Sequence, residues 1–301
     1  MSKRKKIIIN IICGVTAIGV LVAAYFLFIH EPEIELNLGY TLINAPIEDV
    51  ERILVRTAEF EFELANFLDE WSVWGSDTIE LDQALTREFA IRASTIVSTE
   101  QVAESEADLA RFGLDRPSGI VRLTLRDGEI ATLQVGARTE NEEYLYVNVA
   151  ENPNDVYTLH ESRVNKLLAP LDAVRNRNIS PLNEDEISWF SITRTINGEV
   201  GVISMDMMDD TTAGNIAFQL ATLTIAEFVD SPVNVIQAGI YQPSYVIEFG
   251  NAEQRVILHI GRQGEESELT YARIFPNSQI FMLNSEDIEF KNITVQELTA
   301  E

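Results

Sequence analysis

The stretch Ile120-Val121-Arg122-Leu123-Thr124-Leu125-Arg126-Asp127-Gly128-Glu129-Ile130 decides the fold of this chain. Val121, Leu123 and Leu125 occupy every second position, so they share one face of an extended strand, and the polar residues between them share the other. The Asp127-Gly128 dipeptide is a strong signal for a two-residue hairpin turn. Such one-sided alternation is typical of an antiparallel sheet with one buried face and one solvated face.

Segments on both sides of this hairpin carry further patterns. Alternation predicts strands at residues 53–55, 60–64, 130–135, 144–149 and 156–159. A helix is predicted at residues 81–93, where apolar residues recur every four positions from Leu81. Ser98 predicts the cap of a short second helix that ends near Phe112. The sequence therefore predicts an α+β fold, with helices packed on the buried face of an antiparallel sheet.

The chain repeats this pattern. Gly113 is suited to end a helix with a positive φ, and Pro117 prevents the helix from resuming. Gly239 and Pro243 repeat the pair at a constant offset (239 − 113 = 243 − 117 = 126). Five further segments correspond in the same order: 49–55 with 186–192, 120–123 with 246–249, 133–136 with 258–261, 145–147 with 270–272, and 156–159 with 280–283. We therefore predict two tandem related modules, residues 46–180 and 181–301.

The N-terminus predicts a membrane anchor. The basic stub Lys3-Arg4-Lys5-Lys6 runs directly into an apolar stretch at residues 7–29. A helix of about 20 apolar residues spans a bilayer core, and flanking cations favour the cytoplasmic side. We predict a cytoplasmic stub (1–6), a single transmembrane helix (7–29), a stalk (30–45) and an extracytoplasmic remainder.

Two alternatives to a retained anchor fit this sequence less well. A cleavable signal peptide has a shorter apolar core and a small-residue cleavage site, whereas bulky residues follow Ala24 here without a break. Lipidation of Cys13 requires a small residue before the cysteine, and Ile12 stands there. Both observations favour a retained single-pass anchor.

Composition narrows the function classes. Cys13 is the only cysteine, so the predicted external part forms no disulfide and depends on a buried core. The chain has 22 basic and 48 acidic residues, and removing the four cations of the stub leaves 18 against 48. A surface this acidic repels phosphate backbones, which excludes nucleic acid as a partner. A surface that collects cations or a basic partner stays open.

No residue pattern predicts catalysis, a cofactor or a metal site. The histidines His30, His160 and His259 are scattered, and His259 corresponds to Gln134 of the first module. No nucleophile elbow, Cys/His metal spacing or phosphate-binding glycine loop occurs. We therefore predict no catalytic, cofactor-binding or metal-ligating residues, and a protein that is not an enzyme.

Acidic clusters are interpreted as solvated surface. Glu59, Glu61 and Glu63 alternate with apolar residues and predict the wet face of a strand. The acidic turns at residues 140–143 and 265–268 occupy the same hairpin in both modules, which leaves a weak divalent-cation site open. Three further acids, Asp206, Asp209 and Asp210, lack calcium-loop spacing and predict a helix cap or loop. Two tryptophans, Trp71 and Trp74, are predicted to pack at the edge of the core.

The run from Asp108 to Pro117, with its aromatic-Gly-Leu-x-x-Pro element, resembles the signature of the DUF4340 family. The strand–Asp-Gly–strand that follows, Val135-Gly136, and the strands at 144–147 and 156–159 share the likeness, which covers about residues 50–180. The second module is similar more loosely. The resemblance implies a membrane-anchored external protein of bacteria, associated with ABC-type transport systems of the gliding-motility kind. It implies no functional residues.

These observations predict a non-enzymatic, membrane-anchored extracytoplasmic binding or accessory protein. Its expected partners are the membrane, through the N-terminal segment, and an ABC transporter permease or another envelope protein. A ligand- or cation-binding module that uses the cleft between the two modules, near residues 179–181, is the alternative. An envelope enzyme is a third reading, which paired carboxylates with raised pKa values in a cleft would support.

Overall fold

A computed structural model describes residues 39–105, 108–196, 199–230, 235–264, 268–277 and 279–292. Strands account for 45% of these residues and helices for 22%. In chain order the strands are β1 (Tyr40–Asn44), β2 (Val50–Thr57), β3 (Glu61–Phe67), β4 (Glu70–Val73), β5 (Thr95–Ser98), β6 (Glu100–Ala103), β7 (Gly119–Leu125), β8 (Ile130–Arg138), β9 (Tyr144–Val149), β10 (Asn152–His160), β11 (Trp189–Ile196), β12 (Glu199–Ser204), β13 (Glu227–Phe228), β14 (Tyr245–Gly250), β15 (Arg255–Gln263), β16 (Leu269–Phe275) and β17 (Phe281–Asn284).

The strands form three antiparallel sheets. The first sheet has the order β4-β3-β2-β7-β8-β9-β10-β6, and the second sheet has the order β12-β11-β14-β15-β16-β17-β13. A small third sheet pairs β1 with β5, so residues 40–44 of the predicted stalk form a strand. From β3 to β6 in the first sheet, and from β12 to β13 in the second, the corresponding strands follow the same order.

The described residues also form three α-helices: α1 (Gln83–Ser94), α2 (Glu161–Leu167) and α3 (Asp210–Thr222). The Asp82 carboxylate caps α1 by accepting bonds from the N–H groups of Ala84 and Leu85, at 2.9 and 3.0 Å. Short 3-10 turns lie at Ile47–Asp49, Leu109–Phe112, Leu171–Ala173, Glu184–Glu186, Met205–Met207 and Glu286–Asn292.

Each large sheet has its own apolar core. In the first, Val121 and Leu123 of β7 are fully buried with Phe89 and Ala93 of α1, as alternation and helical spacing predict. Leu85, which was expected on the same helix face, is exposed. In the second core, α3 buries Ala213, Ile216, Ala217 and Leu220 against the sheet.

The two related turns have the same backbone conformation. Gly113 has φ +70° and Gly239 has φ +74°, so the predicted positive φ at Gly113 is confirmed. Each of these turns packs against a second glycine of the adjacent strand. A Cβ on Gly136 would lie 2.2 Å from the Phe112 carbonyl oxygen, and one on Gly261 would lie 2.1 Å from the Ala238 carbonyl oxygen.

The predicted α+β class is wrong, because the chain is mainly β. The predicted second helix, near residues 100–112, is instead β6 followed by a 3-10 turn. Glu100–Ala103 pairs with β10, and the expected cap Ser98 places its Oγ 2.7 Å from the Thr158 carbonyl oxygen. Long-range strand pairing overrides the local capping signal.

The predicted transmembrane segment, residues 7–29, lies outside the described residues, as do Cys13 and His30. Within the part of the chain that the structure describes, no helix is both long and apolar enough to cross a bilayer. Within the described residues, the predicted helix-packed modules are therefore replaced by mainly β structure, with three antiparallel sheets and one larger helix on each of the two main ones.

Candidate functional site

The segment between the two large sheets is joined to both of them. On one side, Asp82 N–H donates to the Val174 carbonyl at 2.9 Å, and Asn176 N–H donates to Glu80 at 3.0 Å. On the other side, Ile225 N–H donates to the Arg177 carbonyl at 2.8 Å. Residues 174–179 therefore run as an extended bridge between the sheets.

Arg175 is the buried charge of this bridge. Its side chain is 1% exposed, and its Nη1 donates to both carboxylate oxygens of Asp230, at 2.8 and 2.9 Å. Nη1 also donates to Asp172 at 3.1 Å. The guanidinium carbon lies 3.7 Å from the centre of the Phe228 ring, in a cation–π contact. Two carboxylates and one aromatic ring thus compensate a guanidinium that is almost completely buried.

Arg177 approaches the same ring from a neighbouring position. Its Nη1 donates to the carbonyls of Ile225 and Ala226, both at 2.9 Å, and its guanidinium lies 5.0 Å from the Phe228 ring centre. The two arginines therefore attach the bridge to the strand end that carries Phe228. The geometry is that of a structural clamp.

A cavity of about 40 Å³ adjoins this clamp. Its lining combines amides, one acid, one guanidinium and apolar side chains: Glu80, Arg175, Asn176, Asn178, Ile225, Phe228, Ile274, Asn277, Gln279 and Phe281. Among the described residues, Arg175 Nη2 is buried without a hydrogen-bond partner. A volume of this size admits one or two water molecules and falls well below the 300 Å³ or more of typical ligand pockets. This cavity by itself is therefore too small to hold a drug-sized ligand.

The histidines do not come together. His160 caps α2, because its Nδ1 accepts a bond from Ser162 N–H at 3.2 Å. His259 lies in β15 and stacks on Phe275, with ring centres 5.6 Å apart. Burial lowers the pKa of His259 below its ordinary value of 6.5, and Arg273 lowers it further, whereas Glu248 raises it. The His160 Nδ1 also lies 2.9 Å from the Ser162 hydroxyl, and the His259 Nδ1 lies 3.5 Å from Arg273 Nη2, so the two histidines have separate local partners.

The acidic clusters have the surface roles that their patterns predict. Glu61 pairs with Arg56, and Glu63 pairs with Arg52 across β2 and β3. Hydrogen bonds from Thr212 and Thr211 lower the pKa of Asp209, which caps α3 at 2.9 Å from both N–H groups. The turn at residues 140–143 is exposed, whereas residues 265–267 of its counterpart lie outside the described residues. No group of three potential metal ligands occurs in the described ranges.

The two tryptophans differ. Trp71 is buried in the first core, as predicted, and its backbone exchanges bonds with the Gln83 amide. Trp74 is exposed, which contradicts the prediction, and Arg52 lies over its ring at 4.7 Å. An arginine beside it at the surface thus replaces the expected core contact.

The β3–β4 hairpin presents an apolar tip to solvent. Phe67 is 74% exposed and Leu68 is 78% exposed. Phe67 pairs with Glu70, so Leu68 and Asp69 form a two-residue loop, with φ values of +53° and +67°. Loops of this kind favour asparagine, aspartate and glycine, because a leucine with positive φ is strained by roughly 1 kcal/mol. The sequence pattern did not single out this tip.

Comparisons with known proteins give one match. The family model described as "Domain of unknown function (DUF4340)" matches residues 71–235, more than half of the chain (235 − 71 + 1 = 165 of 301). This match begins later than the resemblance at residues 50–180 and continues through the Arg175 bridge into the second sheet. Neither a curated protein nor a solved structure matches the chain.

Proposed function

The chain belongs to the DUF4340 family, and we propose that it is a membrane-tethered, extracytoplasmic binding protein that serves as a non-enzymatic accessory to an ABC-type transport system. The tether in this proposal is the apolar segment at residues 7–29, oriented by the four cations before it. The ABC-type transport system is part of the proposal because the family resemblance implies an association with such systems. A permease, a multi-pass protein of the same membrane, is the proposed partner.

The observation that carries the proposal is the apolar tip of the β3–β4 hairpin. Phe67 and Leu68 are more than 70% exposed, at the outer edge of the first sheet. Apolar residues in such a position contribute little to the buried core, since both side chains remain in water. Exposed aromatic and aliphatic side chains on a rigid hairpin are suited to insert into a pocket of a partner.

The backbone of the tip supports the same interpretation. Leu68 has a conformation in which asparagine or glycine is more stable, so the fold itself gains nothing from leucine there. A binding contact outside the chain would account for a residue that is both strained and exposed. The hairpin is fixed by its strand pairing with β2, which holds the tip in one position before binding.

Tethering complements a weak contact of this kind. A two-residue apolar tip offers a small interface, and small interfaces are transient in free solution. Confinement of both partners to one membrane raises their effective concentration without any new contact. The proposal therefore joins the N-terminal segment and the hairpin tip in one mechanism.

Site-specific photocrosslinking in membranes tests this function. A photoreactive phenylalanine analogue at position 68 of the full chain is expected to capture a multi-pass membrane protein. The matched control places the same analogue at Asp127, an exposed residue in the turn between β7 and β8. Capture at both positions, or at neither, contradicts a contact made by the β3–β4 tip.

A further inference from the structure

The second sheet carries an open groove at its free edge. The groove has a volume of about 610 Å³ and lies between the start of β11 and the N-terminal turn of α3. Its lining residues are Ser188, Trp189, Phe190, Ser191, Ser204, Met205, Asp206, Met208, Asp210 and Ala213. This volume is within the range of sites that hold a peptide side chain or a small ligand.

The groove exists because β12 ends early. The last pair between β11 and β12 joins Ser191 to Ser204, after which the chain turns away through Met205–Met207. Trp189 and Phe190 continue β11 and pair with β14 on the opposite side. Among the described strands, none covers these two residues on the groove side, so an extended segment has a sheet edge to lie against.

The walls of the groove are adaptable apolar side chains. Three of the five methionines in the chain stand at positions 205, 207 and 208. Met205 and Met208 line the groove and pack partly against the second core, while Met207 is 46% exposed. Methionine is unbranched and polarisable, which suits surfaces that fit the side chains of a partner.

The rim of the groove is acidic. Asp206 and Asp210 are its charged lining residues, and none of the ten lining residues carries a positive charge. The neighbouring Asp209 is already engaged as the cap of α3. Apolar walls with two carboxylates at the rim complement an apolar side chain that stands beside a cation.

We propose that this groove, defined by Trp189, Met205, Asp206, Met208 and Asp210, binds an extended peptide segment in which apolar residues alternate with arginine or lysine. The apolar side chains enter between the methionines, and the cations pair with Asp206 and Asp210. The inference rests on the proposed function only in that both concern protein binding. The groove and the hairpin tip are separate surfaces in different sheets.

The acidic charge of the groove and of the whole chain favours a cationic peptide over the other possible occupants of the groove. The net charge of the chain is −26, so phosphate-rich polymers are repelled. The C-terminal residues 293–301, which lie outside the described residues, contain two glutamates and no lysine or arginine. Their charge does not complement the acidic rim. A second copy of the chain brings the same excess of acid.

Binding of a defined peptide tests the proposal. The probe is a short, dye-labelled peptide amide of alternating leucine and arginine, and its control has glutamate in place of arginine. Fluorescence anisotropy with the full chain, at physiological ionic strength, is expected to show saturable binding of the arginine peptide alone. Met208→Ser, which leaves the charge unchanged, is expected to weaken binding about tenfold. The matched control Phe218→Ser removes an exposed apolar residue of α3 outside the groove and is expected to have no effect.

A second pair of variants separates the groove from general attraction to an acidic surface. Asp206→Asn with Asp210→Asn is expected to weaken binding about tenfold, whereas Asp115→Asn with Asp127→Asn, which removes equal charge elsewhere, is expected to change it less than twofold. Circular dichroism confirms that each variant folds. Equal losses in the two pairs, or unchanged binding by Met208→Ser, overturn the proposal. So does a gain in binding on deletion of residues 293–301, which would assign the groove to the chain's own tail. Failure of crosslinking at Leu68 leaves these measurements unaffected.

Discussion

Arg175 binds both carboxylate oxygens of Asp230, at 2.8 and 2.9 Å, although the two side chains differ greatly in their contact with water. The Arg175 side chain is 1% exposed and the Asp230 side chain is 64% exposed. Removal of Arg175 therefore leaves a charged group that is exposed to water, whereas removal of Asp230 leaves a charged group that is buried. Without Arg175, the Asp230 carboxylate is hydrated by water. Without Asp230, the Arg175 guanidinium stays buried and lacks its main ion-pair partner.

This asymmetry predicts unequal effects on stability. Asp230→Ala is expected to lower the free energy of unfolding by about 2 kcal/mol, because the buried Arg175 guanidinium then has a single carboxylate partner, Asp172. The exposure of Asp230 places this value below the range for fully buried pairs. Arg175→Met retains apolar contact with Phe228 and is expected to cost less. Urea unfolding of both variants and of the double variant measures the difference, and a larger loss in Arg175→Met contradicts the account.

The paired glycines give a second stability prediction. Gly136→Ala is expected to destabilise the protein by about 2 kcal/mol or more, because its Cβ would lie 2.2 Å from the Phe112 carbonyl oxygen and that backbone has to move. Thermal or urea unfolding measures this loss. Gly201→Ala is the control, since a Cβ there meets no atom within 4 Å of the described structure. Similar effects at both positions would falsify the close approach of turn and strand.

His259 gives a prediction about pH. Its pKa is lowered in the folded state, chiefly by burial and then by Arg273, so the neutral ring is favoured. The unfolded chain therefore binds a proton more readily, and the stability that is present above pH 6.5 is lost as the pH falls through the folded pKa. His259→Gln, which copies Gln134 of the first sheet, removes this dependence. The difference between wild type and variant is expected to change below pH 6.5 and to stay constant above it.

Urea unfolding at several pH values measures that difference. The variant leaves the titrating carboxylates in place, including Glu61, Glu161 and Asp209, whose pKa values are lowered by hydrogen bonds and which act at lower pH. These carboxylates contribute equally to the pH dependence of the wild type and the variant, so their contribution cancels when the two stabilities are subtracted. A difference that does not depend on pH would show that protonation of His259 is not coupled to folding.

Local patterns predict much of the first sheet. Val121, Leu123, Leu133 and Val135 are fully buried because strict alternation places them on one face, whichever other strands surround them. Gly113 was also predictable, since only a residue that tolerates positive φ fits the turn before Pro117. Residues 100–103 were not, because their capping signal is local and their pairing with β10 joins positions more than 50 residues apart.

The candidate sites were less predictable. Arg175 stands between Val174 and Asn176 in a segment without periodicity, and its partners Phe228 and Asp230 follow more than 50 positions later. The Leu68 tip was missed because leucine gives no turn signal. The three methionines at positions 205–208 are visible in the sequence, but only the early end of β12 turns them into a groove wall.

Orientation in the membrane is testable without structural data. A reporter that is active only outside the cytoplasm, fused after Glu301, is expected to be active, because the cations at positions 3–6 favour the cytoplasm. Replacement of Lys3, Arg4, Lys5 and Lys6 by glutamate is expected to mix the orientations. Reporter activity in intact cells measures both. A wild-type fusion that reports a cytoplasmic location removes the basis of the proposed function.

The central claim is that the Leu68 side chain contributes to partner binding and not to the stability of the fold. The substitution Leu68→Asn tests this claim most directly. Asparagine tolerates the φ of +53° at this position, so the variant is expected to be as stable as the wild type or more stable by about 0.5 to 1 kcal/mol. It also removes the exposed apolar side chain. Co-purification of the multi-pass partner from membranes, with urea unfolding of the same variant, is expected to show lost capture by a fully folded protein. Unchanged capture by a folded Leu68→Asn protein contradicts the account.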